Sequence, residues 1–106
     1  MKSSWRIEIA PTGYRSLEEI SNKKVLRDIV QVIDRLEEDP EHQGKALVHP
    51  LEGLRSVRAA RDRYRVLYRV DSDRRLVSVL LVALRKAGRE DDVYALAQKL
   101  LKNLLG

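Results

Sequence analysis

The chain has 106 residues, 43% of them hydrophobic and 35% charged, with no cysteine and a formal net charge of +5. That length fits a single domain with a small core, and the lack of cysteine excludes a disulfide framework or a thiolate metal site and fits a cytoplasmic protein. No apolar run approaches the roughly 20 residues of a membrane span, no signal peptide is expected before the first alternating segment, and a pI near 9.7 points to polyanionic partners.

Trp5, Ile7 and Ile9 alternate with Arg6 and Glu8, which predicts a first strand. Pro11 and Gly13 break it. Tyr14, Leu17 and Ile20 then suit a short helix, and Ser21-Asn22 interrupts it. Val25, Leu26, Ile29, Val30, Ile33 and Leu36 mark one face of a longer amphipathic helix that Asp39-Pro40 stops. Two helices in succession predict a helical hairpin covering one side of a sheet. Glu41 to Pro50 reads as loop and contains His42 and His49.

A strand over about residues 54–61 and a tight turn at Asp62-Arg63 lead into Tyr64–Val70, where Tyr and Val alternate with Arg65, Leu67 and Arg69. The alternation predicts an oily side and a guanidinium side. After a turn at Asp71-Ser72-Asp73, Leu76 to Leu84 is an almost continuous apolar run, the pattern of a central strand. Arg85 to Arg89 is a basic loop, and Val93, Leu96, Ala97, Leu100, Leu101 and Leu104 give a last amphipathic helix. The expected class is α+β: a mostly antiparallel four-stranded sheet, an N-terminal helical hairpin and a C-terminal helix.

The charge is focused. Leu54 to Arg75 holds eight arginines and three aspartates, so this stretch alone carries the +5 of the whole chain. Guanidinium is a planar fork of donors matched to phosphate. From the residues alone, a phosphate-binding face and a plain solvated sheet face both remain open.

No metal is expected, because neither histidine has a third ligand beside it. The chain has no glycine-rich phosphate loop and no nucleophile elbow. The clusters Glu37-Glu38-Asp39 and Glu90-Asp91-Asp92 suit a solvated face and a helix start. Arg58, Arg65, Arg85 and Tyr94 are the residues that neighbouring strands can bring together. Tyr94 also reads as a packing residue beside Leu96 and Ala97.

The opening strand, the helices closing at Asp39-Pro40, LEGLRSVR, RYRVLYRV, VLLVALR and VYALAQKLL occur in an order that resembles the RelE/ParE superfamily of type II toxins, and within it RelE. The resemblance implies a ribosome-dependent endoribonuclease that cuts mRNA in the A site with no metal or cofactor. The 2′-hydroxyl would attack the adjacent phosphate, leaving a cyclic phosphate and a free 5′-hydroxyl. It implies that Arg65 holds the scissile phosphate, Arg85 protonates the leaving oxygen, Tyr94 stacks on or orients the substrate, and Arg58 matches a lysine acting as base or charge stabiliser. Arg61, Arg63, Arg69, Lys86 and Arg89 would contact RNA.

Three departures stand out, one of them a loop between Arg85 and Tyr94 that is longer than the family pattern leads one to expect. Ser56 occupies a second basic position of the family's strand, and Arg58 replaces a lysine although arginine does not deprotonate in proteins. The general base is therefore unassigned. The implied partners are a cognate antitoxin, the ribosome and mRNA, and operator DNA through the antitoxin complex, with no membrane. The ParE branch shares the fold and inhibits gyrase without cutting RNA, and a basic nucleic-acid-binding module is a third reading.

Overall fold

The computed structural model describes residues 5–49 and 51–84. In chain order these form β1 (Arg6–Ile9), α1 (Pro11–Glu18), α2 (Lys23–Arg35), a 3-10 turn at Pro40–His42, β2 (Lys45–Ala46), β3 (Leu54–Ala59), β4 (Tyr64–Asp71) and β5 (Leu76–Leu84). The strands make one sheet in the order β1-β5-β4-β3-β2. The sheet is thus five-stranded and mixed, not four-stranded. β1 pairs parallel to β5, with Ile7 opposite Val77 and Ile9 opposite Val79, and the other neighbours are antiparallel. The expected C-terminal helix lies outside the described residues.

Pro11 does not merely end β1; it opens α1, where a missing N–H is harmless and its fixed φ suits a first helical turn. Gly13 lies inside α1 because a Cβ there would stand 2.7 Å from the Val79 carbonyl oxygen. β1 covers only the first half of β5. Beyond it, Thr12 Oγ1 donates to the Leu80 carbonyl (2.6 Å) and Ser16 Oγ accepts from the Val82 N–H (2.9 Å), so α1 satisfies edge groups of β5 that no strand reaches. The ladder between β4 and β5 shifts register at Leu67/Tyr68.

α2 starts where Asn22 Oδ1 accepts from the N–H groups of Lys24 and Val25, so the interruption at Ser21-Asn22 is an N-cap. Each helix takes the sheet as its principal partner, α1 on β5 and β1, α2 on β3 and β4. The expected helical hairpin is therefore opened out over the sheet. Leu17, Ile29 and Ile33 pack there on Ala59, Val66, Val79 and Val82, while Trp5, Leu36, Tyr68 and Val77 form an adjoining cluster. Arg75 stacks over the Trp5 ring at 4.7 Å from its centroid.

The segment read as loop before Pro50 contains β2, and long-range bonds explain why. The buried Tyr68 hydroxyl lies 2.9 Å from the Pro40 carbonyl oxygen and 2.8 Å from that of Gln43, and Arg55 Nε donates to the Gln43 carbonyl at 3.0 Å. Gly44 has φ +61 and sits where a Cβ would collide with the Ser56 carbonyl. The chain is thereby pressed onto β3, and Lys45 and Ala46 pair with Ser56 and Arg55.

Candidate functional site

The face of the sheet away from the helices carries the site. Directly paired residues of an antiparallel ladder share a face. Arg58 of β3 stands opposite Arg65 of β4, Ser56 stands opposite Leu67, and Lys45 of β2 stands opposite Ser56. Arg65 Nη1 reaches across to the neighbouring strand and donates to Ser56 Oγ at 3.5 Å. Three cationic residues therefore neighbour Ser56 on this face, exposed Lys45, exposed Arg58 and half-buried Arg65, of which Arg65 contacts its hydroxyl.

The β3–β4 turn shapes the far end of this cluster. It is a four-residue turn, Ala60–Arg63, in place of the expected two-residue one, and β3 stops at Ala59. Ala60, Arg61 and Asp62 all have left-handed φ values of 51, 56 and 65, and the Arg63 N–H donates to the Ala60 carbonyl at 3.1 Å. This winding brings the Asp62 carboxylate back to 3.6 Å from Arg58. Both side chains are more than half exposed, so water screens the pair and it contributes little to stability.

The expected guanidinium side is not a continuous cationic face. Leu67, between Arg65 and Arg69, is buried with Leu47, Leu51 and Leu54 in a second apolar cluster that Leu80 and Leu81 adjoin. Alternation placed Leu67 on the right face but could not show that the 47–54 segment folds over it. Arg69 is exposed opposite Leu54, on the other side of this cluster from Arg65. Arg61 and Arg63 project from the turn, exposed. Arg85, Lys86, Arg89 and Tyr94 lie outside the described residues. The sequence reading missed Lys45. The available signal was the spacing of Lys45 and Leu47, which puts both on one face of a short strand.

Each histidine is paired with an acid: His42 Nδ1 with Asp39 at 2.6 Å and His49 Nδ1 with Glu52 at 2.9 Å. The Asp39 hydrogen bond holds the His42 pKa above its ordinary value. Burial pushes the Tyr68 hydroxyl up, against the opposing effect of Arg55. Among the described residues no three His, Asp or Glu side chains are placed to hold a metal, and no helix is long and apolar enough to cross a membrane.

This arrangement can hold an anion and stabilise charge developing on it. Known proteins with the same fold narrow the context. The model of the ParE toxin of type II toxin–antitoxin systems matches residues 7–88. The toxin RelE of Mycobacterium tuberculosis is 32% identical over 83 residues, 78% of this chain and 84% of that protein. The crystal structure of the RelBE2 toxin–antitoxin complex from the same organism superposes with a TM-score of 0.71 at 28% identity, covering 78% of this chain and 100% of the other. A double-arginine mutant of E. coli RelE in the free state gives 0.70 at 16% identity, covering 92% and 97%. The match to most of the chain, together with the mycobacterial relative, establishes the family: this chain is a toxin of the RelE/ParE family of type II toxin–antitoxin systems.

Proposed function

We propose that this toxin is a ribosome-dependent endoribonuclease that cuts mRNA in the A site without a metal. The observation that carries the reading is the pairing of Arg58 with Arg65 beside Ser56 on the sheet face opposite α1 and α2. Two guanidinium groups on one rung can both donate to a single anion laid across them, and a phosphodiester is an anion of suitable size and charge. The 32% identity to a toxin named RelE supports the same branch.

In the proposed reaction the RNA 2′-oxygen bonds to the adjacent phosphorus as its proton passes to solvent water, and the bond from phosphorus to the 5′-oxygen breaks as that oxygen takes a proton that solvent restores to the donor. A 2′,3′-cyclic phosphate and a 5′-hydroxyl result. Arg65 and Arg58 stabilise the added negative charge on the phosphoryl oxygens. The resemblance gives Arg85 the protonation of the leaving oxygen and Tyr94 the orientation of the base. Arg58 cannot take the 2′-hydroxyl proton, because a guanidinium stays charged. Arg61, Arg63 and Arg69 contribute phosphate contacts along the strand.

The cognate antitoxin is the proposed protein partner, as the solved mycobacterial relative is a toxin–antitoxin complex. An acidic antitoxin segment would cover the cationic face, and operator DNA would be bound through the complex. A second reading has its own support: the matching family model is that of a ParE toxin, a branch that inhibits gyrase without cutting RNA. Induced expression followed by primer extension separates the two. Cuts inside translated codons with normal gyrase supercoiling are expected. Inhibited supercoiling with intact mRNA would transfer the protein to the gyrase-inhibiting branch.

A further inference from the structure

Lys45 is the one cation of the cluster that does not come from the arginine-rich stretch, and its position is built, not incidental. The residue before it, Gly44, occupies a left-handed conformation that only a side-chain-free residue fits against the Ser56 carbonyl. The carbonyl before that, of Gln43, is within hydrogen-bonding distance of the Tyr68 hydroxyl and of Arg55. Gln43 itself is tied down, its amide Nε2 donating to the carbonyls of Arg35 (2.7 Å) and Glu38 (2.6 Å). These bonds fix the register that sets Lys45 opposite Ser56. Among the described residues Lys45 has no acidic partner, whereas Arg58 has Asp62.

We propose that Lys45 is a further RNA-contacting residue, its ammonium binding the backbone phosphate next to the one held between Arg58 and Arg65. This rests on the nuclease reading above. Lys45 and Arg65 lie on strands separated by one intervening strand and two residues apart along them, so their backbones are about 12 Å apart. Flexible cationic side chains rooted at that distance can reach successive phosphates of one single strand, while a single phosphate is already served by the two arginines. Ser56, the small residue between them, leaves the sheet surface low enough for the strand to lie across it.

The competing explanation is that lysine on an edge strand simply blocks pairing with another chain. The two differ in what the lysine's loss changes. The probe is a single-stranded RNA oligonucleotide with 2′-O-methyl sugars, which cannot be cut, titrated against the full-length toxin over a range of salt. Each lost phosphate contact flattens the dependence of log K on log salt by about 0.7 for a single strand. Lys45→Ala is expected to weaken binding at low salt and flatten the slope by that amount. Lys45→Arg restores both, and Lys24→Ala, on the far side of the protein, changes neither.

An unchanged slope and affinity in Lys45→Ala overturns the proposal, as does a variant that only aggregates more. Loss of affinity for an acidic antitoxin peptide with RNA binding intact would also overturn it, and would assign Lys45 to the partner. A wild type that does not bind the oligonucleotide at low salt overturns it outright. If wild type binds RNA through Lys45 yet leaves translated mRNA intact, the nuclease reading fails and the contact stands.

Discussion

Arg58 and Arg65 face each other across the β3–β4 ladder, two like charges on one rung of the sheet. Such a pair is destabilising by itself, on the order of 0.2–1 kcal/mol. Here Asp62, 3.6 Å from Arg58, and the surrounding water offset part of that repulsion. Arg58→Ala is therefore expected to leave thermal stability within about 0.5 kcal/mol of wild type, and Arg65→Ala to behave similarly once the repulsion is removed. If both hold the reacting phosphate, each change slows cleavage of translated mRNA roughly 10²-fold or more. Melting curves and primer extension check the two halves. Folded variants that still arrest translation at wild-type rates would remove these residues from the site.

Tyr68 ties the 40–46 segment to the sheet through its hydroxyl. Tyr68→Phe keeps the buried ring and removes the donor. The Gln43 carbonyl retains its bond from Arg55, but the Pro40 carbonyl loses the tyrosine. A cost of about 1–3 kcal/mol is expected, read as a lower denaturant midpoint with an unchanged slope. A variant as stable as wild type would mean that water replaces the hydroxyl without loss.

Gly44→Ala tests the same segment from its backbone. The left-handed φ costs a non-glycine residue about 1–2 kcal/mol, and the collision with the Ser56 carbonyl adds to that. Amide exchange is the sharper measurement: the Leu47 N–H, which donates to the Leu54 carbonyl at 2.9 Å, is expected to lose protection while amides of β4 and β5 keep theirs. Equal protection in the variant would show that β2 does not depend on Gly44.

His42 provides the pH test. Its folded pKa is raised above the ordinary 6.5, first by the hydrogen bond to Asp39 and then by that residue's charge. The unfolded state therefore holds the proton less tightly than the folded one. The stabilising contribution is full below the unfolded value and fades as pH rises through the folded value. The ring is fully solvated, so the effect is small. An NMR titration of the His42 ring is expected to give a midpoint above 6.5, and Asp39→Asn to return it toward the ordinary value. A midpoint that does not move in Asp39→Asn would show that the pair does not set it.

Much of this architecture is legible in the residues because local spacing decides it. α2 follows from apolar positions at helical intervals, and β5 was expected over the residues it occupies, Leu76–Leu84. β4 extends one residue further than expected, to Asp71. What escaped was determined by distant groups. β2 is only two residues long and exists because Tyr68, 25 residues beyond Gln43, anchors what precedes it. The parallel β1–β5 pair has no turn that announces it. The left-handed run at Ala60, Arg61 and Asp62 contains no glycine to mark it. The site divides the same way: Arg58 and Arg65 fall on one face of adjacent strands in the expected hairpin, but a two-residue turn would set Arg65 opposite Ala60, and only the four-residue turn sets it opposite Arg58, while Lys45 joins them only through β2.

The parallel pairing of β1 with β5 has a consequence for synthesis of the chain. Translation delivers β1 first, but its partner Leu76 comes 70 residues after Arg6. At the usual 5–20 residues per second, the first strand waits roughly 4–14 seconds before the sheet can close on it. Ser16 waits similarly for the Val82 N–H that it accepts from. The strand that arrives last also sits beside both β1 and β4, so assembly finishes only when nearly all of the described chain has left the ribosome. A nascent chain halted before β5 carries Arg58 and Arg65 but lacks the strand that holds β4 in place, and its cationic face is not yet assembled.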